Sequence, residues 1–181
     1  MSELRTERLL LRQWREADRA PFAALNAGAD VMRHFPAPLD RAASDALVDR
    51  ERARIAERGW GLWAVEVVDD GQFIGFVGLA DAPPSLPCAP AVEIGWRLAR
   101  ERWGHGYATE AARAALRCGF EELELPEIVS FTARTNAPSE AVMKRLGMRP
   151  GEPFEHPSVP EDSPLRPHVL YRLTRSEFEA G

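Results

Sequence analysis

The sequence predicts a mixed α/β fold in which helices pack against one mixed sheet. Apolar runs with the period of a strand alternate along the chain with apolar patterns of helical period. An Asp-Gly dipeptide joins two of the runs as a hairpin, and ten of the fifteen prolines fall in two windows outside the periodic segments. At 181 residues the chain has the size of one ordinary domain, so we expect a single domain over residues 1–181.

The first half of the chain is predicted to supply a strand, two helices and a hairpin. In order, the elements are a strand at residues 9–14, helices at residues 16–27 and 42–57, and strands at residues 60–68 and 73–79. Asp69, Asp70 and Gly71 lie between the last two strands, and an Asp-Gly dipeptide is typical of a tight turn.

The second half alternates strand and helix. Its predicted elements are a strand at residues 92–98, a helix at 108–123, a strand at 127–132, a helix at 139–146 and a strand at 168–173. The helix at 108–123 has the strongest signal, because its alanines and larger apolar residues recur at i, i+3 and i+4. Gly147 ends the next helix, and Thr174 with Glu177 has the spacing of a capping box for a terminal helical turn.

Composition excludes several classes of function. The 23 basic and 28 acidic residues give a net charge of −5, which argues against a nucleic-acid partner. No window approaches the roughly 20 apolar residues of a membrane span, and the N-terminus is charged where a signal peptide is apolar. We therefore expect a cytoplasmic protein without a membrane partner. Cys88, Cys118 and four dispersed histidines are too few for a disulfide framework or a structural metal site.

The most informative stretch runs from the strand at residues 92–98 through a glycine-punctuated turn into the helix at 108–123. The first turn of a helix has free N–H groups and the positive end of the helix dipole. Gly104 and Gly106 leave room for a pyrophosphate to approach those groups, and Arg100 and Arg102 add positive charge. The pattern indicates a phosphate-bearing ligand, although a tight turn without a ligand has the same spacing.

Two common phosphate-binding motifs fit this turn poorly. Thr109 stands where the dinucleotide-binding motif has its third glycine, and the chain contains no Gly-Lys-Ser/Thr for a P-loop. A nucleotide-binding oxidoreductase stays as an alternative, but a different phosphate-bearing cofactor fits better.

The nine residues 103–111, Trp-Gly-His-Gly-Tyr-Ala-Thr-Glu-Ala, resemble motif A of the GNAT superfamily of N-acetyltransferases. They are most similar to its ribosomal-protein-alanine acetyltransferase branch. Residues 6–12, 73–79 and 93–96 resemble that branch's first, third and fourth strands. Residues 136–139 with 146–148 resemble its second cofactor segment.

The resemblance implies the GNAT fold, with a mostly antiparallel mixed sheet splayed between the fourth and fifth predicted strands. Acetyl-CoA would lie in that V-shaped opening, with its pyrophosphate on the amides from Gly104 to Ala108. The implied cofactor contacts are Ile94, Gly95, Trp96, Arg102, Trp103, Gly104, His105, Gly106, Tyr107, Ala108, Thr109, Asn136 and Ser139. Trp103 is a departure, because the broader superfamily carries Gln or Arg there.

The chemistry requires a base for the attacking amine, a donor for the oxyanion and a stabilised thiolate. Glu93 is our first candidate base. The alternative is that its side chain only faces solvent from the strand and takes no part in the reaction. Ser139 either assists the thiolate, as the resemblance implies, or simply caps the helix it heads. Gly95 is expected to mark a β-bulge that splays the strands. His156 and His168 are further candidates for the acceptor side of the cleft.

The sequence thus predicts an acetyl-CoA-dependent N-acetyltransferase that acts by direct attack in a ternary complex. Its acceptor is either a protein N-terminus or a small amine, and related enzymes suggest a homodimer. The alternative is a catalytically silent acyl-CoA-binding module. Met143, which stands where many relatives carry a tyrosine general acid, favours the silent module, whereas Glu93 favours the enzyme.

Overall fold

The computed structural model describes residues 3–181, and its main feature is a nine-stranded mixed sheet. The strands are β1 (Leu4–Arg5), β2 (Leu9–Arg12), β3 (Leu62–Val67), β4 (Phe73–Asp81), β5 (Val92–Leu98), β6 (Glu127–Ala133), β7 (Arg149–Pro150), β8 (Phe154–Glu155) and β9 (Pro167–Thr174). The helices are α1 (Arg19–Ala27), α2 (Ala29–Met32), α3 (Arg41–Arg58), α4 (Tyr107–Arg117), α5 (Ala137–Arg145) and α6 (Arg175–Ala180).

The sheet is antiparallel except at one place. Its strand order is β1-β2-β3-β4-β5-β6-β9-β7, and β8 also pairs with β9. The exception is β5 with β6, which run parallel and pair only at Val92 with Ile128 and Glu93 with Val129. Beyond those two pairs the strands part, which confirms the predicted splayed sheet.

Helices cover both faces of the sheet around this parting. The π-helical turn Cys118–Glu122, which continues α4, places Gly119 against the side chains of Leu79 and Ile128. On the opposite face, Phe22 of α1 packs edge-on to Phe76 of β4, with ring centroids 6.0 Å apart.

The alternation of side chains along β5 follows from these two faces. Ile94 pairs with Leu79 and is buried on the α4 face. Glu93, Gly95 and Arg97 therefore point to the face of α1 and α3, because successive residues of a strand point to opposite faces.

Several predicted elements differ in detail from the observed ones. The helix predicted at 108–123 is α4 followed by the π-helical turn, and the helix predicted at 16–27 begins as a 3₁₀ turn at Glu16–Asp18. The short elements β1, α2, β7 and β8 were not predicted, since two to four residues carry no measurable period. Pro150 and Pro167 lie in strands rather than loops, at strand ends where a missing amide costs little.

The predicted β-bulge at Gly95 is wrong. The ladder between β4 and β5 is regular through the pair of Gly78 and Gly95, and the register shift in this part of the sheet lies instead between Val65 and Glu66. The strands part because β6 stops pairing with β5, not because β5 itself is distorted.

Two predicted local features, a hairpin turn and a helix cap, are present in the structure. Gly71 closes the hairpin between β3 and β4 with a left-handed φ of 67°, and Thr174 with Glu177 forms a capping box at the start of α6. Among residues 3–181, no helix combines the length and the apolar character needed to cross a membrane.

Candidate active site

The parting of β5 and β6 opens a cavity of about 740 Å³. One end is formed by the start of α4 and the other by the segment between α2 and α3. The first turn of α5 and the loop after β8 close its sides. All the predicted site residues except His105 line this cavity, including Glu93 and Ser139.

The start of α4 is a cradle of free main-chain donors. Gly104 and Gly106 have φ values of 78° and 80°, in the left-handed region that favours glycine. Gly106 is the N-cap of α4 and supplies no capping side chain. Within residues 3–181 the amides of Tyr107, Ala108 and Thr109 have no acceptor. Such a helix start binds anions through its N–H groups and its dipole.

Arg8, which the sequence analysis did not single out, holds this turn in place. Its Nη1 donates to the carbonyl oxygen of His105 at 3.1 Å, and its Nε donates to Glu110 at 2.7 Å. Thr6 donates to the same carboxylate at 2.6 Å, and the Arg8 guanidinium lies 4.8 Å from the ring centroid of Tyr107. Although burial alone would raise it, hydrogen bonds from Thr6 and Arg8 lower the pKa of Glu110. The turn is therefore tied to the segment that joins β1 and β2.

Arg102 and Trp103 are anchored on the outer side of the cradle. Arg102 donates to Gln72 at 2.8 Å and to Asp70 at 3.1 Å, so the hairpin between β3 and β4 holds its guanidinium. The indole of Trp103 donates to the carbonyl of Leu98 at 2.8 Å. This bond explains how a tryptophan fits the position that departs from the superfamily pattern.

Glu93 is the last residue of β5 that pairs with β6, and it lines the cavity. Burial raises the pKa of Glu93 to about 7, with Arg54 opposing the rise and Glu51 adding to it. A carboxylate with such a pKa is half ionised near neutral pH, which suits a general base.

Ser130 marks the point where the two strands part. Its buried hydroxyl donates to the carbonyl of Ile94 at 2.9 Å, across the gap between β5 and β6. The backbone edge of β5 beyond Ile94 has no partner strand on this side. A strand edge of this kind can hydrogen-bond an extended ligand such as the arm of a coenzyme. No sequence motif indicates Ser130, because its role depends on where β6 diverges from β5.

The first turn of α5 forms one side of the cavity. Asn136 is its N-cap: Oδ1 accepts from the amide of Ser139 at 3.3 Å, and Nδ2 donates to Thr132 at 3.0 Å. The prediction that Ser139 caps this helix is wrong, because Ser139 is the third helical residue and Asn136 fills the cap. The side chain of Ser139 lines the cavity, whereas Met143 is fully buried in the core.

His156 and His168 line the cavity together. Their ring centroids are 4.8 Å apart, and both rings lie near Phe131. Burial lowers the pKa of both rings, so they are neutral at physiological pH. His105, by contrast, is exposed and stacks on Tyr107 with ring centroids 5.5 Å apart.

No group of three His, Cys, Asp or Glu side chains that could hold a metal ion occurs in the described part of the chain. The cavity is lined by a carboxylate with a raised pKa, a hydroxyl, two imidazoles and main-chain donors. These groups suit proton transfer and the binding of a phosphate-bearing ligand.

Comparison with known proteins shows the family to which the chain belongs. The model of the acetyltransferase (GNAT) domain matches residues 8–149. The uncharacterized protein YkkB of Bacillus subtilis is 33% identical over 150 residues, which cover 81% of this chain and 85% of YkkB. The chain belongs to the GNAT family of N-acetyltransferases, which confirms the resemblance seen in its motifs.

Solved structures show the same architecture. A GNAT-family acetyltransferase from Bacillus anthracis superposes with a TM-score of 0.81 at 24% identity, covering 97% of this chain and 99% of that one. Mycobacterium smegmatis RimJ, solved in complex with CoA-disulfide, superposes with a TM-score of 0.74 at 23% identity, covering 97% and 87%. The branch suggested by the sequence is consistent with this similarity of fold.

Proposed function

We propose that this chain transfers the acetyl group of acetyl-CoA to a primary amine by direct attack in a ternary complex. GNAT acetyltransferases use acetyl-CoA as co-substrate. One observation carries the proposal: the free amides at the start of α4 and the carboxylate of Glu93 line the same cavity, on either side of the unpaired edge of β5.

The cradle at the start of α4 binds the pyrophosphate of the coenzyme. The amides of Tyr107, Ala108 and Thr109 donate to its oxygens, and the left-handed glycines before them shape the turn. The acyl arm runs along β5 toward Gly95, where an added Cβ would have no heavy atom within 4 Å. This open floor brings the thioester close to Glu93.

The reaction forms one N–C bond and breaks one C–S bond. The neutral amine attacks the thioester carbonyl, and Glu93 accepts the amine proton, directly or through one water molecule. The thiolate of CoA leaves, and Ser139 is the hydroxyl that lines the cavity on the side of α5 where it can donate to the sulfur. Because a thiol has a pKa near 8.5, a strong general acid is not required.

The acceptor is a protein N-terminus or a small amine. The part of the cavity beyond Glu93 is lined by the segment between α2 and α3, by His156 of the loop after β8 and by His168 of β9.

An acceptor screen with thiol release as the readout tests the proposal. The purified protein is incubated with acetyl-CoA and a panel of peptide N-termini and small amines, and CoA binding is measured separately by calorimetry. Amine-dependent thiol release supports the proposal. CoA binding without release above background would identify the silent acyl-CoA-binding module instead.

A further inference from the structure

Arg97 is a second charged group on the face of β5 that carries Glu93. The two side chains lie four residues apart on one strand face, with Gly95 between them, and both line the cavity. At a rise of about 3.3 Å per residue, their Cα atoms are about 13 Å apart. An added Cβ on Gly95 would have no heavy atom within 4 Å, so the floor between the two charges is open.

The guanidinium of Arg97 packs against neutral groups. It lies 4.3 Å from the ring centroid of Phe35 and 5.4 Å from that of Phe76. Its Nη1 donates to the side-chain oxygen of Asn26 at 2.8 Å. Its Nε is buried without a hydrogen-bond partner, and burial lowers the pKa of Arg97 to about 10.

Arg97 is partly buried and has no counter-ion within residues 3–181, which sets it apart from the fully buried Arg12. Arg12 donates to Asp18 at 2.8 Å and to Glu66 at 2.8 Å. Buried charges in proteins are normally paired, because removing an ion from water costs free energy that only an opposite charge or strong hydrogen bonds offset. The side chain of Arg97 lines the cavity, where a bound ligand can supply the opposite charge.

We propose that Arg97 binds an anionic group of the acceptor, so that the substrate is an amine that also carries a carboxylate or a phosphate. The inference rests on the proposed function, since it places the acceptor amine at Glu93 and the acceptor anion at Arg97. Nη1 donates to Asn26 and Nε is buried, which leaves Nη2 as the donor for the anion. A charge-assisted hydrogen bond from Nη2 suits an oxygen of either anion, and the ring of Phe35 lies 4.3 Å from the guanidinium.

Acceptors of equal length that differ only in their charged group test whether the site binds an anion. We would measure kcat/KM by thiol release for linear ω-amino carboxylic acids from glycine to 8-aminooctanoate, for their neutral carboxamides, and for ω-aminoalkyl phosphates of the same lengths. At the best chain length, one of the two anionic series should exceed the amides by about 10- to 100-fold. The ratio of acid to phosphate identifies which anion the site takes.

Substitutions of Arg97 test whether this residue causes the preference for anionic acceptors. Arg97→Gln should lower kcat/KM for the anionic acceptors by far more than for the amides, and so remove the preference for anions. Arg97→Lys, which keeps the charge without the planar edge, should retain part of the preference. Equal rates for acids, phosphates and amides in the wild-type protein, or an equal loss for all three in Arg97→Gln, would overturn the anion site.

A binding measurement separates this inference from the proposed function. In the CoA-saturated protein, the Nε–H resonance of Arg97, assigned by its loss in Arg97→Lys, is followed by NMR during titration with the same compounds. A shift with acids or phosphates but not with amides supports the anion site even if no amine releases thiol, a result that would overturn the transferase alone. Thiol release without an anion-dependent shift would overturn the anion site alone.

Discussion

At the scale of single residues, the environment of Glu93 decides both its chemistry and its effect on stability. The carboxylate is held where β5 and β6 part, and burial raises its pKa to about 7. A base needs a pKa near the working pH, whereas a carboxylate that is hard to ionise weakens the folded state once it is ionised. One side chain therefore links activity and stability in opposite directions.

The first prediction concerns the rate. In the wild-type protein kcat/KM should rise with pH through about 7, as Glu93 loses its proton. Glu93→Gln should lower kcat by about 10²- to 10⁴-fold and remove this limb of the profile, with CoA affinity retained. Glu127→Gln, which removes a carboxylate of β6 that pairs with Arg172 of β9, is the matched control and should keep the profile. An unchanged rate in Glu93→Gln would exclude Glu93 as the base.

The second prediction concerns the free energy of unfolding of the same variant. The folded-state pKa of Glu93 lies above the ordinary value of 4.5, so the folded protein binds the proton more tightly and stability falls as the pH rises from 4.5 to 7. At pH 8 Glu93→Gln should be more stable than wild type by on the order of 1–3 kcal/mol, and at pH 4 the two should be equal. Urea denaturation at the two pH values measures this, and a pH-independent difference would contradict it.

At the scale of elements, the start of α4 depends on a backbone that only glycine adopts easily and on the hydrogen bonds that Thr6 and Arg8 make to it. We call these hydrogen bonds the brace. The α-helical period predicted α4, and the glycines before it predicted the turn. The brace by Arg8 was not predicted, since Arg8 and Glu110 are about a hundred residues apart in sequence. The turn and the brace can be tested separately, each with its own variant.

Gly106→Ala tests the turn. An alanine at a φ of 80° should destabilise the protein by about 1–2 kcal/mol and weaken CoA binding, because the amides of the cradle are displaced. Gly71→Ala is the matched control, since Gly71 has a φ of 67° in the β3–β4 hairpin and an added Cβ there has no close neighbour. We expect a similar loss of stability in both variants and a loss of CoA affinity in Gly106→Ala only, measured by calorimetry.

Arg8→Gln tests the brace. Losing its bonds to His105 and Glu110 should raise the Kd for CoA by about tenfold and leave kcat at saturating acetyl-CoA nearly unchanged. Arg5→Gln, which removes an exposed arginine of β1, serves as the control and should not alter the Kd. A fall in kcat without a change in Kd would show that Arg8 acts in some other way.

At the scale of the whole molecule, the central strands β3, β4, β5, β6 and β9 are joined by the fewest residue pairs at the site. Two residue pairs join β5 to β6, whereas seven pairs join β6 to β9. A ligand seated in the opening contacts both halves of the sheet and should stabilise the folded state through its binding energy.

Coenzyme binding should therefore raise Tm. At a CoA concentration 100 times its Kd, linkage gives about 2.7 kcal/mol, which corresponds to roughly 5–10 °C for a chain of this size. Pantetheine, which lacks the pyrophosphate, should cause a much smaller shift at the same concentration. Equal shifts with both compounds would show that the cradle at α4 does not bind the pyrophosphate.

The sequence by itself determined the class of fold, the glycine turn before α4 and the family, because these depend on local period, on glycines and on a contiguous motif. It also identified Glu93 and Ser139 as residues of the opening. It could not determine the parting of β5 from β6, which Ser130 marks, or the brace by Arg8. Nor could it show the unpaired charge of Arg97, because each of these depends on which distant segments meet. A pKa, an absent counter-ion and the width of a cleft are properties of packing, and only the tertiary structure decides them.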